Sequence, residues 1–347
     1  MIFKEKLLKK YSTEVIYKRI IDDMKTLENG IVVNIPEPTL TKFGLLLYSS
    51  DNLEAHTISG FSASFSSKSV CRHCHIQYSE LEEHIHNHDG DEAHAKWTMT
   101  EYDDIANTLV NQATEDDEDY GEFALDFDDN DEVNEEEIES CSEDEDKEED
   151  AQEDVEEAMG EVPGVLNTWG VKTRCPLNVL KAFHCVKGFP PDLMHDWLEG
   201  CLAEDLLGVI RTLSWKRWFT VENYNSALHK FKWYSYESGD KPQSVPLSNK
   251  VGKLKGKAVS QWVHARNFPM IVKKFIADPH DKVLELPLKM HEITERITAT
   301  EFLEYEIDLL DECVIEYLDM RKQLRSEFPE FFHRPKPKHH YMRKNVT

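Results

Sequence analysis

The sequence predicts an α+β fold that is mostly α. Three observations carry this. Apolar residues recur at helical spacing through the C-terminal half, short β-branched and apolar runs occur only near the N-terminus, and one long acidic stretch has no periodicity. At 347 residues the chain is long enough for two ordinary domains.

Residues 14–29 predict the first helix, with Val15, Ile16, Ile20, Ile21, Met24 and Leu27 on one side and Gly30 as the stop. The β-branched run Ile31–Val33 predicts a short strand. After the turn at Pro36–Pro38 comes Phe43–Tyr48 (FGLLLY), whose unbroken apolar character predicts a buried strand. Asp51 falls just past the end of that strand, where α/β sheets gather functional carboxylates. Residues 71–97 then hold Cys71 and Cys74 together with His73, His75, His84, His86, His88 and His94, a density that core packing does not explain.

The formal net charge of −27 is concentrated in one place. Between Glu115 and Glu161 there are 27 acidic residues and one basic residue, Lys147, so the rest of the chain is close to neutral. Residues 114–161 lack the apolar content to offset the entropy of ordering and are expected to be a disordered acidic insert, with Ser140 and Ser142 placed before acidic residues as acidophilic kinases require. Such an insert is suited to basic protein partners, or serves only as a solvated linker.

Order is expected to resume near Leu166. Phe189-Pro-Pro-Asp192 reads as a helix start capped by Asp192, with Met194, Trp197, Leu198, Cys201 and Leu202 facing a core. Asp192, His195, Asp196 and Glu199 share the other face as a polar stripe, either a solvated surface or a partly buried helix start whose polar groups need partners. Further helical patterns cover 221–231, 259–277, 282–297 and 300–326. The predicted organisation is therefore a core at 1–70, a Cys/His-rich segment at 71–113, the acidic insert at 114–161, a helical domain at 162–332 and a basic tail at 333–347.

Cys71-x2-Cys74 is half of a tetrahedral zinc site, because this spacing lets two thiolates face one ion; His84 and His88 are local candidates to complete it. The bland alternative is a pair of free thiols in a loop. Asp51 alone is a weak signal, since an Asp after a strand is more often a turn or cap residue than a functional acid. The basic clusters Lys250–Lys257 and Arg334–Lys344 suit phosphate contact or a nuclear address, but their shortness favours exposed loops. Seven cysteines make no disulfide framework, and neither a signal peptide nor a membrane-spanning run occurs, so a nuclear or cytosolic location is expected.

Taken in order, YSSDNLEAHTISGFSASFSSKSVCRHC, GVKTRCPLN, FHCVKGFPPDLMHDWLEG and PKPKHHYM resemble segments of the DDE-type DNA transposases, in the group of CACTA-like and Transib elements and the V(D)J recombinase catalytic subunit. The resemblance implies a partial RNase H-like core with a large helical insertion domain. In that family three carboxylates hold Mg²⁺ or Mn²⁺ for phosphodiester transfer to DNA. Carried over, Asp51 matches the second catalytic acid, Cys71 and Cys74 the thiolates of a structural Zn²⁺ site, His340 one of its histidines, and Asp192 and His195 an Asp-x2-His pair supporting the active site. The sequence departs from the family at the first Asp, the second zinc His (where Lys344 stands) and the catalytic Glu. The resemblance therefore implies a transposase-derived chain truncated at both ends and without autonomous strand transfer. It also leaves open a nuclear zinc-containing binding module, or a fragment of a complete transposase gene.

Overall fold

A computed structural model describes residues 13–34, 36–62, 69–84, 95–116, 170–248 and 252–344. Among them it is mostly helical with one two-stranded sheet. The predicted acidic insert, apart from its first residues, and His88 lie outside the described residues.

Helix α1 (Thr13–Asn29) buries Ile21, on the predicted apolar side, and also Tyr17, outside that set, while Val15 of the predicted side is 47% exposed. It ends at Gly30, whose φ of 108° only glycine adopts without strain. Near its end the buried Glu28 carboxylate accepts the Lys181 and Ala182 amides, each at 3.0 Å. Strands β1 (Ile31–Asn34) and β2 (Pro38–Thr41) form an antiparallel ribbon with Ile31 opposite Thr41.

Phe43–Tyr48 does not form the predicted buried strand. It pairs with no strand, and only one side finds cover: Leu45 and Tyr48 pack on the core while Leu46 and Leu47 are 70% and 60% exposed. A continuous apolar run signals a strand covered on both faces, and among the described residues no sheet is present here to receive it. Helix α2 (Asn52–Ser59) follows and is stopped by Gly60, where an added Cβ would lie 2.0 Å from the Thr173 carbonyl oxygen.

A 3₁₀ turn (Tyr78–Glu80) leads into α3 (Leu81–His84), then α4 (Met99–Asp116). On α4 the buried Tyr102 hydroxyl donates to the Ser59 carbonyl and accepts the Cys175 amide at 2.9 Å. It thereby ties residues 170–189, which include α5 (Cys185–Gly188), to the N-terminal helices. These pieces share one core of Tyr17, Ile58, Phe61, Trp97, Tyr102, Phe183 and Phe189, which crosses the domain boundary predicted at 162.

The second core is built mainly from helices, with Phe219, Val245, Leu254 and Phe332 added from the connections between them. A π-helical segment, Met194–Cys201, continues into α6 (Leu202–Trp215). Then come α7 (Val221–Lys230), α8 (Ala258–Val272), α9 (Glu285–Ile297) and α10 (Glu304–Glu327), close to the four predicted helices. Trp197 lies at the centre, its indole donating to Thr294 Oγ1 at 2.9 Å and its ring set edge-on to Tyr317 at 5.2 Å. Met194, expected in this core, is instead 45% exposed, because it opens the π turn on the outer side. No helix among the described residues is long and apolar enough to cross a membrane.

The segment expected to be a basic tail is a helix, α11 (Pro337–Lys344), that buries His339, His340, Tyr341 and Met342 against the π segment and α10. Pro337 sits at its first position, where a missing N–H costs nothing. Arg343 grips Asp311 of α10 through two contacts of 2.9 Å. Gly200 permits the close approach of α11, since a Cβ there would lie 2.8 Å from Lys338 Cδ.

Candidate metal centre

Cys71 and Cys74 lie in a tight bend closed by isolated bridges Ser69–Gln77 and Cys74–Lys96. Val70, Ile76, Leu81 and the α11 residue Tyr341 pack around the two thiols as a small separate core. His340 enters from α11, so residues 266 positions apart meet, with Cys74 Sγ 3.2 Å from His340 Nε2. The ligand atoms of Cys71, Cys74 and His340 all lie within 4.8 Å of one another, and all three residues are buried.

This arrangement fits a tetrahedral ion. Bonds of about 2.3 Å to sulfur and about 2.0 Å to nitrogen put neighbouring ligand atoms roughly 3.5–3.8 Å apart. The His73 backbone amide donates to Cys71 Sγ at 3.3 Å, the contact that orients and stabilises a metal-bound thiolate. The hydrogen bond to Cys71, then burial, push the Cys74 thiol well above its ordinary range. A cation at this point would reverse that balance and hold both sulfurs as thiolates.

The other predicted site residues have different surroundings. His84 ends α3, while His88 lies outside the described residues. Asp51 is exposed and caps α2, accepting the Glu54 amide at 2.7 Å. Asp192 caps the π-helix start by accepting the Met194 and His195 amides at 2.9 and 3.2 Å, and its second oxygen meets His195 Nδ1. The predicted stripe fans apart beyond that point. Glu199 accepts the Ala258 amide at 2.8 Å, and Asp196 turns fully inward.

Asp196 is the centre of a buried polar cluster that the sequence reading did not single out as a site. Asn52 Nδ2 donates to Asp196 Oδ1, while Arg72 Nη1 donates to Asn52 Oδ1 at 2.8 Å. The Asn52 amide thus bridges a buried carboxylate and a buried guanidinium. Arg72 also reaches the Pro190 carbonyl at 3.3 Å and lies 5.2 Å from the centre of the Tyr341 ring. Tyr341 donates to the Val70 carbonyl at 2.6 Å and meets His56 Nε2 at 3.0 Å. Burial pushes the Asp196 carboxyl up to about 7, although Arg72, Lys338 and Asn52 pull it down. Burial, aided by Arg72, holds His56 down at about 3. The available sequence signals were Arg72 between the two cysteines and Tyr341 beside the histidine pair.

A second buried group, Glu204, Asp205 and His339, has ligand atoms equally close together. It already contains its cations. Arg321 Nε bonds both Asp205 oxygens at 2.9 and 3.0 Å, and Lys336 Nζ lies 3.0 Å from Glu204 Oε2. Burial alone would raise Asp205, but Arg321 overrides it and holds the carboxyl at about 2. This is an ion network fastening α6 to α10 and α11. Compared with known proteins, the chain matches no protein family, no curated protein and no solved structure.

Proposed function

We propose that the chain is a transposase-derived protein of the DDE type that uses a structural zinc ion as an internal clamp and acts by binding rather than by cutting DNA. The observation that carries this reading is the meeting of distant segments. Asn52 beside Asp51, Arg72 and Cys74 from the cysteine loop, Asp196 beside His195, and His340 with Tyr341 form one continuous buried assembly. These segments are among those that resemble the transposase family, and their convergence is what a shared ancestral centre requires.

In this reading Zn²⁺ is held by Cys71, Cys74 and His340 and cross-links the cysteine bend to α11. Residues 1–70 belong to an RNase H-like core, and the helices after 190 are its insertion domain. Asp51 corresponds to the second acid. One of its oxygens accepts the Glu54 amide, which supports a structural present role over a Mg²⁺- or Mn²⁺-holding one. Asp192 and His195 support the start of the π-helical segment, where the Asp192 cap also meets His195 Nδ1.

A binding role in the nucleus is the second reading, favoured by the 27 acidic residues between Glu115 and Glu161, a composition suited to basic proteins such as histones. Plasmid nicking with Mg²⁺ or Mn²⁺ tests the first: wild type and Asp51→Ala should show the same background. Nicking that Asp51→Ala abolishes would overturn it. Pull-downs with and without residues 115–161 test the second, and an unchanged partner set would count against the acidic tract.

A further inference from the structure

A groove of about 410 Å³ opens between α3 and the C-terminal end of α10. Its lining includes Leu318, Pro329 and Pro335, with Lys322 and Arg325 beside them. A smaller hollow lined by Tyr78, Leu81 and Arg334 adjoins it, and Glu82 and Pro335 line both. Glu82 stands at the junction. Its carboxylate contacts Arg325 Nη1 through one oxygen, and Arg334 Nε lies 3.7 Å from the other. Two guanidiniums from different elements therefore converge on one carboxylate over an apolar floor.

We infer that this groove docks an acidic peptide whose carboxylates alternate with apolar side chains, displacing Glu82 from Arg325 and Arg334. Charge complementarity names the occupant. Glu82 already shows the group that the two arginines accept, a single planar carboxylate, the partner that suits guanidinium geometry best. Lys322, exposed at the rim, adds a third cation. Leu318, Pro329 and Pro335 offer the apolar contact that a peptide side chain fills and a phosphate backbone does not. Nucleic acid fits less well, because its phosphates would displace Glu82 equally but leave the apolar lining of Leu318, Pro329 and Pro335 uncovered. Glu82 acts as an internal competitor that keeps the groove closed to weak anions. Since it is 43% exposed, freeing it disrupts no core.

Fluorescence anisotropy of a labelled ten-residue synthetic peptide, Glu and Asp alternating with Leu and Phe, titrated with the full chain tests this. Saturable binding is expected, roughly tenfold tighter for Glu82→Gln and at least roughly tenfold weaker for the pair Lys322→Glu and Arg325→Glu. A peptide with every Leu and Phe replaced by Ser should bind more weakly than the parent. Circular dichroism melting of each variant separates lost docking from lost folding, and Lys322→Glu alone, at an exposed position, gives a second reading of the charge effect. The proposal is overturned by no saturable binding to either wild type or Glu82→Gln, by binding indifferent to the charge reversals, or by equal binding of the Ser peptide. A labelled single-stranded oligonucleotide that binds where the peptide does not, and is lost on the same reversals, would also overturn it in favour of nucleic acid.

Discussion

His339 and His340 are adjacent on α11, yet their rings serve two different assemblies. His340 Nε2 lies 3.2 Å from Cys74 Sγ, whereas His339 Nε2 lies 3.7 Å from Asp205 Oδ2. One short helix therefore joins the cysteine bend to the ion network of α6 and α10, and with Tyr341 it also closes the cluster around Arg72. Neither half of the molecule holds α11 alone. Its docking depends on the thiol site on one side and on Arg321 and its carboxylates on the other.

Removing Arg321 should be far more damaging than removing Lys336. Arg321→Met leaves Asp205 and Glu204 buried without their main cation, a loss of about 3–5 kcal/mol. Lys336→Met, at a side chain 46% exposed, should cost about 1 kcal/mol or less. Urea unfolding of both variants measures the difference.

Asn52 should behave as a bridge and not as an isolated polar residue. Asn52→Leu strands both the Asp196 carboxylate and the Arg72 guanidinium, at a cost of about 1–3 kcal/mol. Adding Asp196→Leu should cost less than the sum of the two single changes, because the second change removes a group the first left unpaired. Strict additivity in the denaturation midpoints would contradict the bridge.

Asp196 should make stability fall as pH rises. Its carboxyl moves from an ordinary 3.8 to about 7 on folding, so the folded state holds the proton more tightly. That contribution is complete below about pH 4 and is lost as pH climbs through 7, up to roughly 4 kcal/mol in all. Asp205 runs the opposite way, its stabilisation present above 3.8 and lost as pH falls toward 2. Thermal melts between pH 5 and 8 should flatten in Asp196→Asn, and an unchanged slope would remove Asp196 from the account.

Much of the helical half was legible because its apolar residues keep the helical period, as in α7 and α9. The Asp192 cap was legible from the prolines before it. Phe43–Tyr48 was not, because an apolar run reports burial without saying what covers it, and here only Leu45 and Tyr48 are covered. Arg334–Lys344 read as an exposed basic loop since charge dominates its composition. Burial of His339 to Met342 comes from partners more than a hundred positions away in sequence, Asp205 and Cys74. Asp196 looked like one of four stripe residues. The π geometry of Met194–Cys201, which no residue pattern announces, separates it from its neighbours.

If a metal ion is the clamp, a chelator should lower the melting temperature of wild type and leave His340→Ala and Cys74→Ser, both already lowered, unmoved. Equal chelator sensitivity in all three would place the metal elsewhere.

X-ray absorption at the zinc edge of the purified chain tests the central claim most directly. The account predicts about one zinc per chain with two sulfur ligands at about 2.3 Å and at least one imidazole nitrogen at about 2.0 Å, the sulfur shell disappearing in the Cys71→Ser, Cys74→Ser double variant. No stoichiometric zinc, or a shell of oxygen and nitrogen alone, would contradict it.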